Sequence, residues 1–151
     1  MPQPKHTVVP YLRVKGAAKA IEFYTQALGA REHMRMPTPD GRVMHAELEV
    51  AGGVFFLSDE FPEMGGATGA PNGAASVHLN VPDCDALWQQ AMAAGATAIM
   101  PPTDMFWGDR FGKFKDPFGH EWSISTTKEQ LTPEEMNRRG AEVMKQMGKK
   151  P

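Results

Sequence analysis

The chain repeats itself. The segment YLRVKGAAKAIEFYTQALGA, residues 11–30, and the segment HLNVPDCDALWQQAMAAGA, residues 78–96, share one order: an extended apolar stretch, a polar break, a helix-spaced stripe and a closing Gly-Ala. Self-similarity at this spacing constrains the fold more than any bulk property does. Each copy must be one supersecondary unit, and such a unit buries its apolar face only against a neighbour.

In the first copy, residues 7–14 are β-branched and apolar, and Ala20, Ile21, Tyr24, Ala27 and Leu28 then fall at helical spacing before Gly29. Strands are expected over 30–36, 43–50 and 54–58, separated by Pro37-Thr38-Pro39-Asp40-Gly41 and by Gly52-Gly53. The second copy follows the same order. Residues 75–81 read as a strand, Asp83 as an N-cap, and Leu87, Ala91 and Ala94 as a stripe ended by Gly95. Strands are expected over 96–100, 110–114 and 120–126, the last after the turn Asp116-Pro117-Phe118-Gly119. The expected fold is α+β: one domain of two βαβββ modules, 7–58 and 75–126, making a cupped, mixed, eight-stranded sheet. Residues 59–74, rich in Gly, Pro and Ala, read as a linker. Thr132-Pro133-Glu134-Glu135 opens a C-terminal helix over 132–147, with an N-cap Thr and a capping-box Glu.

At 151 residues the chain can bury a core without disulfides or metals as staples. The net charge is −2 with Lys and Arg dispersed, so no nucleic-acid partner is expected. Cys84 is the lone cysteine, which excludes an intrachain disulfide and a paired-Cys zinc site and suits a reducing compartment; the cytoplasm is the expected location. No apolar run is long enough to span a bilayer, and the opening residues lack the apolar stretch of a signal peptide, so no membrane partner is expected. Gly65-Gly66-Ala67-Thr68-Gly69 lacks the Lys-Ser/Thr ending of a phosphate loop.

Together with FWGDRFGKFKDPFGHEWSI, residues 106–124, the two repeat segments resemble the glyoxalase, bleomycin-resistance and dioxygenase superfamily, also called vicinal oxygen chelate proteins, and within it the PhnB-like branch. The likeness runs from Thr7 to about Met144 and includes the Glu-Glu-Met-x-Arg-Arg opening of the last helix. It implies that superfamily's cup-shaped fold and a homodimer. It does not imply one activity, because isomerases, lyases, ring-cleaving dioxygenases, thiol transferases and antibiotic binders share the scaffold.

Metal enzymes of the superfamily place one ligand on each of four central strands, typically His, Glu, His and Glu. Those positions fall here on Val9, Phe56, Ser76 and Ser123, none of them a good divalent-metal ligand. No cofactor is therefore expected, and a family-type metal site is disfavoured. Two residues from these positions, on the same face by alternation, stand His78 and Glu121, displaced in opposite directions along their strands; Tyr11 also faces inward.

The resulting expectation is a small-molecule-binding protein with a cup lined by Tyr11, Phe56, Ser76, His78, Trp107, Arg110, Glu121 and Ser123. Arg110 and His78 would fix polar groups while Phe56 and Trp107 supply apolar contact. The alternative is a lyase, isomerase or dioxygenase working through a displaced metal site at His78 and Glu121, or through metal-free acid-base catalysis by Glu121. The glyoxalase I reaction itself is expected to be absent. His45 and Glu47 share one face of an amphipathic strand, opposite Met44, Ala46, Leu48 and Val50, and are expected on its solvent side. His6 and His33 have no converging partner in sequence, and Cys84 is expected to be an inert thiol.

Overall fold

The computed structural model describes residues 8–65 and 75–148. The first module comprises β1 (Tyr11–Val14), α1 (Ala17–Leu28), β2 (Arg31–Pro37), β3 (Val43–Val50) and β4 (Gly53–Asp59). The second comprises β5 (Ser76–Asn80), α2 (Cys84–Ala94), β6 (Thr97–Asp104), β7 (Asp109–Lys115) and β8 (Glu121–Thr127), and α3 (Pro133–Gly148) follows. The paired βαβββ order read from the repeat is the order observed.

Local chemistry sets these boundaries. The helix α1 buries Ala17, Ala20, Ile21, Phe23, Tyr24, Ala27 and Leu28 and stops at Gly29, whose φ of 66° suits a residue without Cβ. The Asp83 side chain caps α2 by accepting from the Ala86 amide, and Thr132 does the same for the Glu135 amide at the start of α3. The sixth strand runs on to Asp104, through Pro101 and Pro102, because it is an edge strand where a missing ladder donor is tolerated.

Among the described residues the eight strands form two four-stranded sheets, ordered β1-β4-β3-β2 and β5-β8-β7-β6, with no pairing between a strand of one and a strand of the other. Each sheet is mixed: β1 runs parallel to β4 and β5 parallel to β8, while the other pairings are antiparallel. Of the expected linker, Asp59 completes β4 and Pro62–Met64 forms a short 3-10 turn; residues 66–74 lie outside the described residues.

One core joins the modules. Leu12, Val14, Leu48, Phe55 and Leu57 from the first sheet and Leu79, Phe114, Trp122 and Ile124 from the second are buried with α1 and α2. Tyr24 of α1 packs against Phe55 and Trp122, each ring 5.4 Å away. A buried carboxylate organises each module. Asp59 accepts from the amides of Gly16, Ala17 and Val43, and Asp116 accepts from the Tyr24 phenol, the Trp122 indole and the amides of Phe118 and His120. With the inner faces committed to this core, the other face of each sheet is left open.

Candidate functional site

On the first sheet, one register row crosses all four strands of the open face. Tyr11 lies opposite Phe56, Phe56 opposite Glu47, and Glu47 opposite Met34. The Tyr11 hydroxyl is 2.9 Å from His45 Nδ1, and His45 Nε2 is 3.4 Å from Glu47 Oε1. A carboxylate only accepts, so Nε2 carries a hydrogen, and in the neutral ring Nδ1 accepts from the phenol. Phe56 meets the Tyr11 and His45 rings edge-on, at 5.7 and 4.9 Å. Arg13 lies 4.4 Å from the Tyr11 ring centroid and donates to Ser58 Oγ at 2.9 Å. A cavity of about 190 Å³ adjoins this group, bounded by Tyr11, Arg13, Met44, Ser58, Phe61 and Met64.

His45 and Glu47 lie on the open face as expected, partly exposed and joined in a hydrogen-bonded network. One expectation is corrected here. Met44 does not join the buried face with Ala46, Leu48 and Val50. The β2/β3 register shifts at Met36/Pro37, Val43 takes the buried position, and Met44 is 40% exposed beside the cavity.

The second sheet brings together Ser76, His78 and Asn80 of β5, Glu121, Ser123 and Ser125 of β8, and Phe111 and Lys113 of β7, as the register and alternation require. His78 Nδ1 lies 2.6 Å from Ser123 Oγ, and its Nε2 lies 3.0 Å from Ser125 Oγ and 3.1 Å from Asn80 Oδ1. Phe111 stacks on His78 at 5.8 Å, and Trp107 meets Phe111 at 5.5 Å, so an aromatic wall stands beside the fixed imidazole. Lys113 Nζ is 5.9 Å from the Phe111 ring and has no carboxylate partner among the described residues.

Arg110 is not part of this face. Alternation along β7 turns it toward α2, where Nε lies 2.8 Å from Asp85 and Nη1 3.2 Å from Asp104; these bonds push its already high pKa further up. Residues Phe111 and Lys113, which do reach the face, were not singled out from sequence, although the phase set by buried Phe114 carries that signal. Gly108, beside Trp107, has a φ of 97°, and a Cβ there would stand 2.7 Å from the Glu129 carbonyl oxygen. The backbones of residues 108 and 129 therefore approach closely, which only glycine permits here.

The positions aligned with the family's metal ligands are Val9, Phe56, Ser76 and Ser123. Val9 and Phe56 offer hydrocarbon, and Ser123 is buried and bonded to His78. No group of three or more His, Cys, Asp or Glu that could hold an ion occurs among the described residues. His78 and Glu121 sit two register positions apart, His78 opposite Ser123 and Glu121 opposite Ser76, with Val77 and Trp122 paired between them.

Two βαβββ modules joined through their helices, each with an open mixed sheet, define a paired-module cup protein. Residues 3–124 match the Glyoxalase/Bleomycin resistance protein/Dioxygenase superfamily, and the chain belongs to it. An uncharacterized protein of Mycobacterium tuberculosis (strain H37Rv) is 41% identical over 132 residues, covering 84% of this chain and 78% of that protein. The crystal structure of protein PA1353 from Pseudomonas aeruginosa is 28% identical with a TM-score of 0.68, over 83% of this chain and all of that one. A PhnB protein from Bacillus cereus shares the fold at 18% identity and a TM-score of 0.61, over 81% of this chain and 100% of its own.

Proposed function

We propose that the protein binds a small organic molecule on its open sheet faces, through side chains rather than through a bound ion. The observation that carries this reading is the fixed His78. Its two ring nitrogens are engaged by Ser123, Ser125 and Asn80, its ring is stacked on Phe111, and Lys113 stands alongside with no carboxylate partner among the described residues. An aromatic wall, preset hydroxyls and one available cation suit a planar, anionic molecule.

The exposed apolar surface supports a homodimer. Met34 and Met36 on the first sheet, Ile99 on the second, and Met136, Met144 and Met147 on α3 are exposed apolar side chains that a second copy would cover. A second copy packed along these side chains would wall each open sheet into a cup. Cytoplasmic location is part of the same reading and rests on the free, buried Cys84. No helix among the described residues is long and apolar enough to cross a membrane.

Titration with benzoate and 2-naphthoate, with benzamide as the uncharged control, tests the binding reading by backbone amide NMR. The expected result is carboxylate-dependent shifts along β5, β7 and β8 that vanish in Phe111→Ala and weaken in Lys113→Met. A stoichiometric divalent ion in chelator-free protein, lost in Glu121→Gln, would instead establish the displaced metal site of a lyase, isomerase or dioxygenase.

A further inference from the structure

We propose that Tyr11 is a nucleophile, activated through His45 and Glu47, that accepts the acyl group of small activated esters. This rests on the first sheet alone and is independent of what the second face binds.

Carboxylate, imidazole and hydroxyl stand here in the order that covalent acyl transfer requires. Glu47 fixes the ring hydrogen on Nε2 and so aims the Nδ1 lone pair at the Tyr11 hydroxyl, 2.9 Å away. The 3.4 Å separation on the Glu47 side is long, as such bonds commonly are before a substrate binds. Phe56 packs edge-on against both rings and restrains them.

Arg13, with no carboxylate partner among the described residues, supplies positive charge 4.4 Å from the centre of the phenol ring, where it can stabilise an oxyanion formed beside it. Tyr11 is 44% exposed, so its oxygen is reachable, and the adjoining cavity of about 190 Å³ offers Met44, Phe61 and Met64 to an apolar acyl or aryl group. The chain's other tyrosine is the opposite case. Tyr24 is fully buried and donates to the Asp116 carboxylate, which deprives its oxygen of access.

In the step proposed, Tyr11 Oη bonds to the acyl carbon while its proton passes to His45 Nδ1. The carbonyl electron pair moves onto oxygen near Arg13, then returns as the bond to the leaving oxygen breaks. The leaving group departs as an alkoxide or phenoxide, and the imidazolium proton goes to it or to water. Water then attacks the tyrosyl ester, giving its proton to His45, and the carboxylic acid and free phenol are regenerated.

The probe is p-nitrophenyl acetate, followed by nitrophenolate release and by peptide mass mapping of the acetyl group. Tyr11 is expected to acquire acetyl before Lys15 and Lys19, and Tyr24 to stay unlabelled. Tyr11→Phe removes the fast phase, and His45→Gln slows Tyr11 acetylation by about 100-fold, the scale of a lost general base, without changing the lysines. Glu47→Gln slows it by a smaller factor and gives a second measure of the relay should His45→Gln disturb the sheet, which labelling of Tyr24 would report. Acetylation of Tyr11 at the same rate in wild type and both relay variants would overturn the proposal, as would labelling of the lysines ahead of Tyr11.

Discussion

Tyr24, on the helix of the first module, donates a 2.5 Å hydrogen bond to Asp116, in the turn that opens the last strand of the second. Both groups are buried, and the same carboxylate holds the Trp122 indole and two turn amides, so one aspartate ties the modules together. Tyr24→Phe leaves Asp116 its other donors and should cost roughly 1–3 kcal/mol. Asp116→Ala should cost more, because it strands the phenol, the indole and both amides at once. Urea midpoints check the order, and Asp116→Ala no worse than Tyr24→Phe would contradict it.

The same pair sets an alkaline limit. Burial, and next the Asp116 charge, raise the Tyr24 pKa well above its ordinary value of 10.0. A group whose folded pKa is raised contributes stability that is complete below the unfolded pKa and is lost as pH rises toward the folded one. Stability should therefore fall as pH climbs above about 10, with one tyrosine ionising only on unfolding. Tyr24→Phe should flatten that part of the stability-pH curve. Absorbance near 295 nm, recorded beside circular dichroism, tests both points.

Gly108 is expected to be intolerant of any side chain. Its φ of 97° disfavours L residues, and a Cβ would stand 2.7 Å from the Glu129 carbonyl oxygen. Its own carbonyl accepts from the amides of Lys128 and Glu129, so relief by moving the backbone breaks those bonds. Gly108→Ala should lower stability by about 1–3 kcal/mol and shift the Trp107 fluorescence. An unchanged spectrum and melting temperature would refute this account of the turn.

Arg110 and Phe111 are neighbours with opposite duties. Arg110→Ala removes solvent-screened ion pairs to Asp85 and Asp104 and should leave benzoate and 2-naphthoate binding unchanged. Phe111→Ala should abolish that binding, since it deletes the ring stacked on His78. Calorimetric titration of the two variants separates the roles.

These pairs also show where the sequence was legible. Modules and helix ends could be read because repeat, cap and glycine signals are local. Alternation placed Ser76, His78, Glu121 and Ser123 on one face of one sheet. Arg110 was misplaced because a guanidinium close to Trp107 suggested a ligand contact, against the phase that Phe114 imposes on β7. Met44 turned on a register shift, which no local pattern announces. Tyr11 and His45 meet only because β4 separates their strands, and Tyr24 and Asp116 meet across 92 residues; such contacts come from topology. That the eight strands divide into two sheets is likewise a matter of pairing between distant segments.

Native mass spectrometry of protein purified without chelators tests most directly whether side chains, assembled from two copies, do the binding. The account predicts a dimer of twice the 16.6 kDa chain mass, free of stoichiometric metal, with any adduct organic. A monomer carrying one divalent ion per chain would contradict it.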